Sequence, residues 1–126
     1  MTIYLDNAAT TCPCDEAVKA FENSIKTFGN PSSLHRLGLN AEILVTDARK
    51  QIANALGVPY ERVFFTSGAT ESNNLALMGT AKALKRTKNK IITTTIEHPS
   101  VAKTCDELES QGYEIVRIAP KDNKFL

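Results

Sequence analysis

Apolar residues recur every three or four positions along much of this chain, and the pattern breaks at glycine or proline. Leu37, Ala41, Leu44, Ala48, Ile52 and Ala55 share one face at helical spacing. They predict a long amphipathic helix that ends at Gly57. Before it, Ala17, Val18, Phe21, Ile25 and Phe28 predict a helix prepared by Pro13 and Asp15 and stopped near Gly29. "GNPSSLHRLG" between them reads as a loop, because proline holds Asn30 extended and the serines favour local turns or a cap. The opening "IYLDNAATT" turns from apolar to small and polar, so residues 1–14 are expected to form an arm.

The second half alternates. Residues 63–66, "VFFT", predict a buried strand, and residues 70–86 a helix with Leu75, Met78 and Leu84 on or near one face. The branched run "IITTT" at 91–95 predicts a second strand. Pro99 restarts the chain, and Val101, Cys105 and Leu108 carry a helix to Gly112. Residues 113–118, "YEIVRI", alternate as a third strand. Three strands alternating with helices are the grammar of a doubly wound α/β fold, with right-handed crossovers where neighbours are parallel. Such a sheet keeps long open edges, so residues 15–126 are expected to form one incomplete domain.

Composition narrows the function. A chain of 126 residues suffices for one modest core, and a net charge of +1 gives no reason to expect nucleic acid or a membrane surface as partner. The basic stretch "KALKRTKNK" lacks an interleaved aromatic residue and suits the negative end of a helix. With no membrane-length apolar run and no signal-peptide pattern at the start, a cytoplasmic location is expected. Three cysteines do not suggest a disulfide framework. Cys12 and Cys14 flank one proline, too close for the usual zinc pair, and Cys105 falls at a core position. His35 and His98 are isolated, so no metal site is expected.

The chemistry concentrates at "TSGATES", where a strand gives way to a helix. Free N–H groups and the positive dipole end suit a phosphate there. Gly68 and Ala69 permit close approach, and Thr70 adds a hydroxyl. Taken alone the stretch reads more readily as an ordinary capped helix, because caps are common, with Ser67 or Thr70 as the cap and Glu71 in the first turn. "TIEHPS" falls on the same sheet edge at the end of the next strand. Its His98 can face a planar ligand or move a proton near neutral pH, or can be a hydrogen-bonded loop residue. One strand end offers a phosphate seat and the other a ring-sized face, so a phosphorylated aromatic cofactor would use both.

Four stretches, "YLDNAATT", "FGNPSSLHRLG", "FTSGATESNNLAL" and "IEHPSV", occur in an order and spacing that resembles the cysteine desulfurases of the NifS/IscS type. These are class V, fold-type I transferases that use pyridoxal 5′-phosphate (PLP). The resemblance spans essentially the whole chain and implies the N-terminal part of the PLP-binding large domain. It further implies that Ala69 and Thr70 bind the PLP phosphate, and that His98 stacks on the pyridine ring and can assist proton transfer. "NAA" and the loop of Asn30, Pro31 and Ser32 would lie around the active-site mouth.

The reaction implied converts L-cysteine to L-alanine and leaves a persulfide on an enzyme cysteine. That sulfur would serve iron–sulfur cluster assembly, through an acceptor such as a scaffold protein, or transfer-RNA thiolation. The family's cofactor-holding lysine, pyridine-nitrogen aspartate, persulfide cysteine and carboxylate-binding arginine have no match in these 126 residues. Cys12, Cys14 and Cys105 do not stand at the family's cysteine position. The chain alone is therefore expected to be inactive and to need the remainder of the enzyme or a second subunit. In the family's sheet order, strand 63–66 would lack both neighbours, so a marginal or partly non-native fold is expected. A partner-binding piece that uses its open sheet edge is an alternative, as is a relative such as a selenocysteine lyase. A free-standing phosphate-binding domain is a third reading, disfavoured by the four linked motifs.

Overall fold

The computed structural model describes residues 3–121, so the first two residues of the arm and the last five of the chain lie outside it. The chain divides into two compact units between Phe64 and Phe65.

In the first unit, the arm is irregular and turns at Asp6, whose carbonyl accepts from the N–H of Ala9 at 3.1 Å. Helix α1 (Asp15–Ile25) opens with Asp15 and Glu16 in its first turn, where negative charge suits the dipole. It stops short of Gly29, and its apolar residues Val18, Phe21 and Ile25 remain exposed. The 3.6-residue pattern was therefore sufficient for the helix, but no described residue of this unit buries its apolar face.

Helix α2 (Arg36–Leu56) follows the long periodic stretch. The His35 side chain caps its start, with Nδ1 accepting from the Gly38 N–H at 3.3 Å. Gly38 is buried beneath the preceding loop, and a Cβ there would strike the Ser33 carbonyl. In that loop Asn30 Oδ1 accepts from the Ser32 N–H at 2.9 Å, so the local turn expected of the serines is made by the asparagine side chain. The helix closes at Gly57, whose φ of 65° is left-handed, and the Val58 N–H returns to the Ala53 carbonyl at 3.0 Å.

The second unit holds helix α3 (Ala69–Leu84), strand β1 (Lys90–Thr94), helix α4 (Pro99–Ser110) and strand β2 (Glu114–Ile118). β1 and β2 pair in parallel, from Lys90 opposite Glu114 to Thr94 opposite Ile118. α4 is the crossover between them, the βαβ arrangement that parallel strands require. α4 packs on α3 and on β2. The core is small: Leu108, Cys105, Tyr113 and Ala81 are buried, with Ile91 and Ile115 against them. Its rim carries the Lys90–Glu114 ion pair across the two strands at 2.8 Å. Arg117 bridges from β2 to Asp106 and Glu109 of α4, at 2.6 and 2.8 Å.

Residues 63–66 form no strand, which corrects the expectation of three. Val63 is extended, with φ −98° and ψ 119°, but no described segment pairs with it. An extended backbone becomes a strand only when a neighbour takes its N–H and C=O groups. The absence of both neighbours follows the expectation from the family's sheet order, and Phe64 is left 72% exposed. The α/β class and the incomplete sheet hold. Among the described residues, no helix is long and apolar enough to cross a membrane.

Candidate functional site: the cleft between two helix starts

α3 begins without a side-chain cap. Gly68 is its N-cap residue and makes no capping hydrogen bond, so the capped-helix reading with Ser67 or Thr70 does not hold. Ser67 instead turns both its backbone N–H and its hydroxyl to Glu71 Oε2, each at 2.7 Å. The hydroxyl first and the backbone N–H second hold the Glu71 carboxyl below its ordinary range. A Cβ on Gly68 would meet nothing within 4 Å, so the entrance is open to an approaching group. Ala69 and Thr70, the first two helical residues, are exposed there.

At the start of α4 the loop from β1 is drawn in by Thr94, whose hydroxyl donates to Glu97 Oε1 at 2.7 Å. His98 is the N-cap residue, and its Nδ1 accepts from the Ser100 N–H at 3.1 Å. Pro99 suits the first helical position because its missing N–H would have had no partner. His98 thus keeps its ring exposed while one nitrogen is tied to the helix.

The two helix starts are joined by polar contacts. Asn73 Nδ2 donates to Ser100 Oγ at 2.8 Å. Thr104 Oγ1 lies 2.9 Å from Asn74 Oδ1 and 2.8 Å from the Ser100 carbonyl, and the Asn74 amide returns to the Thr70 carbonyl at 2.8 Å. A hydroxyl has one hydrogen, so Thr104 serves its two acceptors by sharing or alternation. Between the helices lies a cleft of about 360 Å³, with Thr70, Asn74, His98, Lys103 and Thr104 among its walls. Thr70 and His98 therefore border one space; Ala69, one residue earlier, does not line it.

Asn73, Asn74, Ser100 and Thr104 were missed by sequence reasoning. A signal was present: two adjacent amides interrupt the apolar face of α3, and Ser100 and Thr104 stand four apart on α4. Their partners lie about thirty residues away, separations of 27 and 30 positions, so only packing reveals the pairing.

An uncapped helix N-terminus, a hydroxyl and an exposed imidazole thus surround one cleft beyond the end of a parallel strand, where open α/β sheets gather ligands. The chain belongs to the aminotransferase class-V family, whose model matches residues 3–126. It is 47% identical over 117 residues to the "NifS/IcsS protein homolog" of Lactobacillus delbrueckii subsp. bulgaricus, covering 92% of this chain and 30% of that protein. It is 44% identical over 131 residues to the "Cysteine desulfurase IscS" of Cronobacter sakazakii, covering 100% of this chain and 32% of that one. A solved structure, "SspA in complex with cysteine", superposes with a TM-score of 0.84 at 37% identity, over 95% of this chain and 35% of that chain. The chain thus spans about a third of the length of these relatives.

Proposed function

We propose that this chain supplies the phosphate- and ring-facing wall of a PLP site in a cytoplasmic cysteine desulfurase. The carrying observation is that Thr70 and His98 border one cleft beside an uncapped helix start. Ala69 and Thr70 would hold the phosphate at the N-terminus of α3, and His98 would lie against the pyridine ring. The residues present fit those two parts of the cofactor: the entrance of α3 is unobstructed at Gly68, and the His98 ring is exposed. When bound, PLP supplies an electron sink for negative charge at a substrate's α-carbon. This chain's part is to bind the phosphate, orient the ring and hold an imidazole N–H at its face.

L-cysteine is the proposed substrate, and L-alanine with an enzyme persulfide the proposed products. The relatives' names and the neighbour's complex with cysteine support that choice. The lysine, aspartate, arginine and persulfide cysteine would come from the remaining length of such an enzyme, with residues 15–126 forming part of its large domain. The sulfur acceptor would be an iron–sulfur scaffold or the transfer-RNA thiolation machinery.

The test exchanges the matched segment of the Cronobacter sakazakii relative for this chain. The exchanged enzyme is expected to take up PLP, seen as a visible absorption band, and to release one alanine per sulfur transferred. Thr70→Val is expected to weaken PLP about tenfold or more, the worth of a hydrogen bond to a charged group. A folded exchange protein that binds no PLP, or binds it equally well with Val at position 70, refutes the assignment.

A further inference from the structure

Two donors from one residue converge on His98 Nδ1. The Ser100 backbone N–H points at it from 3.1 Å and the Ser100 hydroxyl oxygen lies 2.8 Å away. The direction of that hydroxyl is set from the other helix, where Asn73 Nδ2 donates to the same oxygen at 2.8 Å. An oxygen that accepts from an amide keeps its own hydrogen for a second partner, and Nδ1 is within reach. A ring nitrogen that accepts two hydrogen bonds does not carry the proton, so the neutral ring carries it on Nε2.

We propose that Asn73 and Ser100 are positioning residues for His98. Together they hold its ring as the Nε2–H tautomer and anchor it edge-on to the start of α4. Ser100 is 8% exposed, whereas the ring itself is exposed, so the controlling contacts are sheltered and the controlled group is free. No described residue bonds Nε2, which leaves one N–H donor directed away from the helix. The importance of this for a cofactor rests on the reading of the cleft as a PLP site. In that setting the neutral ring offers a flat face and an outward donor, while its Nδ1 is already taken up by Ser100.

The chain contains two histidines, which makes the test direct. His35 also accepts a backbone N–H at Nδ1, from Gly38 at 3.3 Å, but no hydroxyl joins it. The whole chain is labelled with ¹⁵N-histidine, and the ring nitrogens of both residues are read by NMR above the pH where the rings are charged. His98 is expected to show a protonated Nε2 and a bare Nδ1. Ser100→Ala should lower its Nε2–H to Nδ1–H ratio about fivefold, the worth of one net hydrogen bond. Asn73→Asp keeps the shape but gives the hydroxyl a carboxylate to serve, and should lower the ratio similarly. His35 should not change in either variant. Because Ser100→Ala removes a group packed between helices, Asn73→Asp decides the matter if that variant unfolds. An Nδ1–H ring in the unaltered chain, or an unchanged ratio in Asn73→Asp, overturns the proposal. The tautomer is read without PLP, so failure of the exchanged enzyme to bind PLP would refute the site reading and leave this relay standing.

Discussion

Leu108→Ala tests how the second unit holds its cleft together. Leu108 is fully buried, with Ala81 and Tyr113 around it and Ile91 and Ile115 packed alongside. It sits ten residues after His98, on the helix whose first turn carries that ring. Leucine-to-alanine changes in cores cost about 2–5 kcal/mol, and less where neighbours can collapse into the space. Only four apolar side chains are buried in this unit among the described residues: Ala81, Cys105, Leu108 and Tyr113. A core that thin yields readily, which places the expected loss at about 2–3 kcal/mol. The unit spans residues 65–126, and at typical values its whole stability is about 3–9 kcal/mol. The substitution should therefore remove about a fifth of it at the least, and most of it at the lower end of that range. Urea unfolding followed through the Tyr113 signal, with amide exchange on β1 and β2, measures the change. Exchange should accelerate across both strands and in the first turn of α4 together. A loss below about 1 kcal/mol, or faster exchange confined to the neighbourhood of residue 108, would refute the view that one small core anchors the cleft.

The Tyr113 hydroxyl is buried and has no hydrogen-bond partner, although Lys85 Nζ lies 5.1 Å from the ring centre. Tyr113→Phe keeps the ring contact and removes an unsatisfied group, so it should stabilise the unit by up to about 1 kcal/mol, read as a higher urea midpoint. A lower midpoint would mean that the hydroxyl has found a partner. Glu71 should titrate below the ordinary carboxylate range, because Ser67 donates twice to its charged form. A lowered native value means its support for the start of α3 is present above the unfolded value and is lost as pH falls through the lowered one. Carboxyl ¹³C shifts followed against pH test this; a midpoint at the level of other glutamates, or one unmoved by Ser67→Ala, contradicts it.

The helices were legible because each carries its own signals. Gly57 closes α2 at a left-handed φ that glycine adopts without penalty, and the periodic residues before it give the helix length. The strands were legible where a partner existed: residues 90–94 and 114–118 pair, while the equally apolar 63–66 do not. Apolar content marks a segment that can become a strand. The ladder that makes it one is supplied by another part of the chain. The same limit applied to α1, whose apolar face was plain in the pattern although no described residue of its unit buries it.

At the site, Thr70 and His98 stood out in the sequence as a hydroxyl at a helix start and an imidazole beside a proline. Residue type and local turn chemistry determined that much, together with the family's four motifs. Whether Ser67 would cap α3 or bind Glu71 was settled within one turn, four positions apart, in favour of Glu71. The tertiary structure decided which polar residues of α3 meet those of α4. Local propensity acts within a turn or two of the chain, but Asn73 and Ser100 are 27 positions apart. Their hydrogen bond exists because a buried core brings the two helices together, and a polar group in that seam must find a partner there.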